Sequence, residues 1–269
     1  MSQDPSSFVG SIPEFYDRNL GPNIFVDYAD DIARRVAAAS PKRVLELAAG
    51  TGIVTLALRK HLPPSTQLTA TDLNQPMLDI AQKKFANPQN LAFQTVDAQN
   101  IPFPDASFDT AICQFGVMFF PDKDRSYREV FRVLPSGGRY IFSVWDAPSF
   151  NPFGRIAHET IGGFFKSDPP KFYQVPFGYH SIDAIKQSLI AAGFGGIAVS
   201  VLDRTKEAGD LDAFADGLVR GNPAIEEIKA RASVPAETII AAVADKLKAE
   251  FGPSRRMPLQ AIVFEAQKR

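Results

Sequence analysis

Cysteine is nearly absent: Cys113 is the single one in 269 residues. One cysteine excludes an internal disulfide and suits a reducing compartment. Histidine is scarce as well, limited to His61, His158 and His180. No Cys/His spacing for a zinc site exists in that set, and no metal is expected. No run of about 18 apolar residues occurs, so no transmembrane span is expected. Neither sign of charge dominates, with 29 basic residues, 30 acidic residues and a net charge of −1. That balance leaves no electrostatic footprint for a nucleic-acid partner. Met1–Pro5 lacks the basic and apolar regions of a secretion signal, so a cytoplasmic location is expected. Tryptophan and tyrosine are few, one and six, against 22 phenylalanines. What is present is ordinary for a globular chain: 45% hydrophobic and 22% charged residues. A chain of this length supports one large domain, or one domain with a lid.

The most informative stretch is Val44–Val54, V-L-E-L-A-A-G-T-G-I-V. An apolar run, Val44 to Leu47, stops at Ala48, Ala49, Gly50 and Gly52, and a helical pattern follows through Val54, Leu56, Ala57 and Leu58. Strand, small-residue turn and helix open a nucleotide-binding α/β unit. Glycine supplies positive φ and lets the backbone approach a ligand, and the helix N-terminus offers free N–H groups. A dinucleotide fingerprint would read G-x-G-x-x-G; here the third glycine is missing. The better clues are two carboxylates. Glu46 lies two residues before the small-residue turn, and Asp72 closes the next apolar run about 20 residues after it.

Along the chain, residues 1–12 are polar and expected to be mobile. Pro13 opens a short helix through Asp17, a turn spans Asn19–Asn23, and a helix runs from Ile24 to Ala39. Strands are expected at Arg43–Leu47, Gln67–Thr71, Leu91–Val96, Thr110–Phe115, Arg139–Val144, Ile197–Arg204 and Leu259–Ala266. Helices are expected at Thr51–His61, Asn74–Phe85 with Asn74 as N-cap, Lys123–Leu134, Pro152–Phe165 and Ile182–Ala192. Three more follow at Leu211–Val219, Ala224–Ala232 and Ala236–Phe251. The segment after Trp145 breaks the repeat. It is rich in phenylalanine and proline, and it either packs a helix on the sheet or roofs an apolar pocket. Asp97 and Gln114 stand at the C-terminal ends of strands three and four, where ligands collect in an open parallel sheet. Cys113, inside an apolar strand, reads as inert core.

Glu46-x-Ala48-x-Gly50-x-Gly52 resembles the first motif of class I S-adenosylmethionine (SAM)-dependent methyltransferases. Val96-Asp97-Ala98 looks like that family's adenine-binding stretch. Pro102-Phe103-Pro104-Asp105-Ala106-Ser107-Phe108-Asp109 and Arg132-Val133-Leu134-Pro135-Ser136-Gly137-Gly138-Arg139 are similar to motifs of its ubiquinone/menaquinone-methyltransferase-like subgroup. The resemblance is strong over Arg43–Val144 and loose elsewhere. Two positions depart from it. Ala48 replaces a glycine, which is tolerable where that residue stays extended, and Ser136 replaces a proline.

The resemblance implies an α/β fold: a Rossmann-like three-layer sandwich around a mostly parallel seven-stranded sheet. Its order is 3-2-1-4-5-7-6 with strand seven antiparallel, and helical insertions form a lid. It implies a single methyltransferase domain over 1–269, with a core at about 40–145 and 181–269. An N-terminal cover spans 10–39, an insertion 146–180 and a helical insertion 210–251. The implied cofactor is SAM, held by Tyr16, Tyr28, Glu46, Ala48, Gly50, Gly52, Asp72, Leu73, Met77, Asp97, Ala98 and Gln114. The aromatic residues Phe25 and Tyr28 equally fit a core-facing stripe, and Met77 equally fits plain core. The implied reaction is methyl transfer to a small molecule, expected to be apolar or aromatic because phenylalanines crowd the insertion after strand five; the helical stretch between strands six and seven fits either a second part of a lid or a homodimer surface. His180 and then His158 are the candidate bases where the acceptor must lose a proton; each equally fits a structural role, as does His61. The alternatives are an NAD-dependent Rossmann oxidoreductase, against which Glu46 and the missing glycine speak, and a SAM-binding protein without methyl transfer.

Overall fold

Apolar runs that end in small-residue turns fold as parallel β-α units in this computed structural model, which describes residues 4–86, 88–231 and 234–269. The strands are β1 (Arg43–Glu46), β2 (Gln67–Asp72), β3 (Leu91–Thr95), β4 (Thr110–Gln114), β5 (Arg139–Trp145), β6 (Phe194–Glu207) and β7 (Arg256–Lys268). They form one seven-stranded sheet of order β3-β2-β1-β4-β5-β7-β6. The pairs β1–β2, β1–β4, β2–β3 and β4–β5 are parallel. β7 runs antiparallel to β5: Lys268 exchanges backbone hydrogen bonds with Gly137 and Gly138 at one end, and Asp146 N donates to Gln260 O at the other. The expected order is therefore the observed one. The helices are α1 (Ile12–Phe15), α2 (Val26–Ala38), α3 (Ile53–His61), α4 (Gln75–Lys83), α5 (Lys123–Val133), α6 (Pro152–Gly163), α7 (Ile182–Ala191), α8 (Leu211–Arg220), α9 (Ala224–Arg231) and α10 (Ala236–Phe251). Among the described residues no helix is long and apolar enough to cross a membrane.

The chain resolves into two compact units. The sheet unit comprises residues 26–144, 180–201 and 262–269. Its central strands β1, β4 and β5 are buried on both faces, as parallel strands between helices must be, while the edge strand β3 stays partly exposed. Tyr127, Tyr140, Phe142 and Phe264 stack through its centre, with Phe142 and Phe264 centroids 5.0 Å apart. Tyr28, Ala29, Ile32, Ala33 and Val36 form the buried stripe of α2, the amphipathic spacing read from the sequence.

The helical unit comprises residues 4–25, 145–179 and 202–261 of the described chain. Here the phenylalanine-rich segment is core. The Phe153 ring lies 5.5 Å from Trp145, 5.7 Å from Phe177 and 6.0 Å from Phe214. Phe177 in turn covers Gly154 so closely that a Cβ there would lie 2.2 Å from the ring. Truncating Phe153 to alanine is expected to cost about 3–5 kcal/mol of stability, as for other fully buried aromatics. Urea unfolding checks this; a loss under about 1 kcal/mol would show that the ring is not structural.

Several local expectations need correction. The Asn19–Asn23 turn is instead part of a π-helix, Tyr16–Phe25, that joins α1 to α2 without a break. Gly21-Pro22 reads as a turn, but Pro22 needs no N–H partner, and the Asn23 side chain donates to Asn19 O at 2.8 Å inside the wide turn. Asn74 is the N-cap of α4 by position, yet its side chain makes no cap bond. β6 and β7 extend past their expected ends because Gly195, Gly196 and Pro258 interrupt the alternation that the sequence shows. From Asp4 onward the N-terminal segment is turn-like, with Asp4 Oδ1 accepting from Ser6 N and Oγ; residues 1–3 lie outside the described residues. So does Ala232, the expected end of α9.

Candidate cofactor site at the C-terminal edge of the sheet

The turn after β1 is fixed by its neighbours. Leu47 N donates to Ile112 O in β4, and Ala49 N donates to Thr71 O in β2. The chain then takes left-handed φ at Ala48 (+51°), Gly50 (+57°) and Gly52 (+80°). Ala48 is therefore not extended, contrary to expectation, and its methyl carries a strain of roughly 1–2 kcal/mol. Phe115, just past β4, is left-handed as well, with φ +52°. Strained non-glycine residues concentrate where a site demands them. Both strand tips meet at Gly116: a Cβ there would lie 2.4 Å from Ala48 Cβ and 2.7 Å from Cys113 Sγ. Gly52 is closed in from the other side, since a Cβ on it would meet Ala81 Cβ at 2.8 Å. Met77 Cε would touch a Cβ on Gly50 at 3.4 Å, so Met77 borders the turn itself.

Two carboxylates flank this turn. Glu46 is only 1% exposed. Its Oε2 accepts from Thr55 Oγ1 at 2.7 Å, while its Oε1 has no partner. Burial pushes the carboxyl up to about 8; Thr55 donors oppose this and the nearby Asp72 charge adds to it. Asp72 is 7% exposed. Its Oδ2 accepts from Gly50 N at 2.8 Å, and its Oδ1 from Asn74 N at 2.8 Å and Asn74 Nδ2 at 3.4 Å. Burial holds this carboxyl above its usual range, against the pull of those N–H donors. Asp72 thus braces the glycine turn from β2.

The tip of β3 lies beside β2 through Val96 N to Asp72 O, 3.0 Å. Asp97 is exposed there, Ala98 is buried, and Asp97 Oδ1 accepts from Gln99 N and Nε2. The following loop is clamped from α5. Arg132 donates to Ile101 O, Phe103 O and Asp105, and Glu129 accepts from Ile101 N. Leu73 is half exposed, and Gln114 is half-buried at the end of β4. Tyr28 is buried edge-on against Phe115, 5.5 Å between centroids, the core-facing alternative of the sequence reading. Tyr16 belongs to the helical unit and stacks on Phe25 at 4.9 Å. His158 lies on α6 in the helical unit and His180 precedes α7 in the sheet unit; both are half-buried. His61 pairs with Asp30 at 2.7 Å, a structural role. Burial pushes the Cys113 thiol up to about 12, so it is inert.

Comparison with known proteins decides the family. The family described as methyltransferase domain matches residues 44–138. A demethylmenaquinone methyltransferase of Thermus thermophilus is 32% identical over 166 residues, which is 58% of this chain and 75% of that protein. The chain belongs to the SAM-dependent methyltransferases of the ubiquinone/menaquinone type. A demethylmenaquinone methyltransferase of Deinococcus radiodurans is 37% identical over 129 residues, 46% of this chain. The chain spans 53% and 62% of the lengths of the first two curated relatives it matches. The YcgJ protein of Bacillus subtilis shares the fold, with a TM-score of 0.58 and 21% identity over 90% of this chain and 99% of that one.

Two residues that shape the turn, Thr55 and Gly116, are not singled out by the sequence. Thr55 is fully buried on the otherwise apolar face of α3, where it binds Glu46. A polar residue on an apolar face was the available signal. Gly116 is the other: its need for an absent side chain follows from Ala48 and has no signature of its own in the sequence.

Proposed function

We propose that this chain binds SAM at the C-terminal edge of its sheet unit and transfers the methyl group to a small apolar or aromatic molecule. The relatives' names point first to a demethylated quinone ring. The observation that carries the cofactor reading is the pair of buried carboxylates, Glu46 and Asp72, on either side of a strained small-residue turn. The residues fit the group. Glu46 Oε1 is an acceptor in need of a donor. Each Asp72 oxygen keeps acceptor capacity for a ribose hydroxyl beyond its N–H bonds. Leu73 and Met77 offer apolar surface to an adenine ring, Asp97 an acceptor and Ala98 a backbone N–H to its edge. Gly50 and Gly52 keep side chains out of the way, and Ala48 and Gln114 line the same edge.

When bound, the cofactor supplies a methyl group already activated on a sulfonium, so the protein needs no covalent nucleophile. The chain's own part is to orient, to exclude water and, for an acceptor that must lose a proton, to take it. His180 is the first candidate base and His158 the second. A cytoplasmic setting suits the single cysteine, and a homodimer remains part of the proposal.

Titration calorimetry with SAM and with NADH tests the reading. SAM is expected to bind and NADH not to. NADH binding without SAM binding would overturn the cofactor assignment. SAM binding with no methylated product from demethylated quinones or simple aromatic acceptors would leave a binding protein rather than an enzyme.

A further inference from the structure

Glu46 carries a feature that cofactor holding alone does not explain. It is a fully buried acid whose one oxygen is bound and whose other oxygen has no partner. The groups facing it are a hydroxyl, a thiol and a second acid. Thr55 comes from α3, Asp72 and Thr71 from β2, and Cys113 from β4. No basic side chain pairs with it among the described residues. An ionised carboxylate in such a place is costly, and the neutral acid is favoured. Asp72 differs: both its oxygens already accept N–H donors, so neither is without a partner. Of the two cationic centres of SAM, only the ammonium has N–H donors for an open acceptor oxygen; a sulfonium has none.

We propose that Glu46 holds a proton in the cofactor-free protein and gives it up to solvent as the SAM ammonium takes the open oxygen, so that cofactor capture is a proton-releasing step. The inference rests on the SAM reading above. No atom is left over: the proton leaves to buffer, and the carboxylate–ammonium pair carries no net charge into the site. The raised carboxyl of Glu46 agrees, and it sets the window.

Calorimetry in two buffers of different ionisation enthalpy counts the protons. At pH 7 about 0.9 proton is expected to leave per SAM bound, from a group that titrates at about 8. Affinity is expected to tighten about tenfold between about pH 6 and 7, where the ammonium itself stays charged. A SAM analogue lacking the amino group is expected to release no proton, which needs no variant. Glu46→Gln is expected to bind SAM more weakly and with no proton release. Clear SAM binding with zero protons released at pH 7 would overturn the proposal and leave the cofactor reading standing, as would undiminished release from Glu46→Gln. Absence of SAM binding would overturn both.

Discussion

Gly52→Ala is expected to lose about 2–5 kcal/mol of folding stability, far more than an ordinary glycine substitution. Two independent terms act. The residue sits at φ +80°, where an alanine is strained by roughly 1–2 kcal/mol. The added Cβ would also lie 2.8 Å from Ala81 Cβ and 3.2 Å from Ala81 Cα. The obstacle is helix backbone of α4 rather than the end of a flexible side chain, so overpacking adds about 1–3 kcal/mol. Equilibrium unfolding in urea gives the loss. Ala81→Gly separates the terms, because it removes the Cβ contact and leaves the strain. The double variant is then expected to recover part of the loss, with a coupling of at least about 1 kcal/mol beyond the helix penalty of glycine. Strict additivity would show that contact with Ala81 plays no part. Because α3 starts at Ile53, any shift of Gly52 also turns the helix N-terminus away from the edge proposed to hold the cofactor.

This glycine turn is where the sequence was most legible, and the reasons are physical. An apolar run, small residues and a helical pattern have few other uses, and Glu46 and Asp72 fall on strand ends by simple spacing. The strand order came from the family resemblance that four motifs in series carry, and not from any single residue. What stayed hidden depends on contacts between distant segments. The left-handed Ala48 is set by bonds from Leu47 and Ala49 to two flanking strands, so a local preference for extended backbone gives the wrong answer there. Gly116 is glycine because of the Ala48 methyl, 68 positions earlier in the chain by subtraction of their numbers. Thr55 is buried only because Glu46 turns towards α3. The π-helix at Tyr16–Phe25 has a wider turn with no strong residue pattern, and Gly21-Pro22 imitates a turn.

Asp72 tests whether bracing the turn and gripping the cofactor are one function. Its carboxyl accepts from Gly50 N, Asn74 N and Asn74 Nδ2. Asp72→Asn retains one acceptor and sets an NH2 group against the other N–H. One buried donor then loses its partner, at a cost of about 1–3 kcal/mol. The pH dependence has a definite sign. Burial raises the folded carboxyl above the unfolded value of 3.8, so the folded state binds the proton more tightly. The contribution of Asp72 is complete below that value and declines as pH rises through its folded range. The asparagine variant has no such proton, so the stability gap between wild type and variant is expected to narrow as pH rises. Thermal unfolding of both proteins from about pH 4 to 8 follows it; a gap that widens would mean that the anion, not the neutral acid, is the favoured buried form. Asp72→Ala removes the acceptors altogether. It is expected to weaken SAM binding by about 1–3 kcal/mol, roughly 5–150-fold, through loss of charge-assisted bonds and of the braced Gly50. Calorimetry at a temperature where the variant stays folded reads this directly. Wild-type affinity in a folded Asp72→Ala protein would confine Asp72 to bracing the turn and remove it from the cofactor contact.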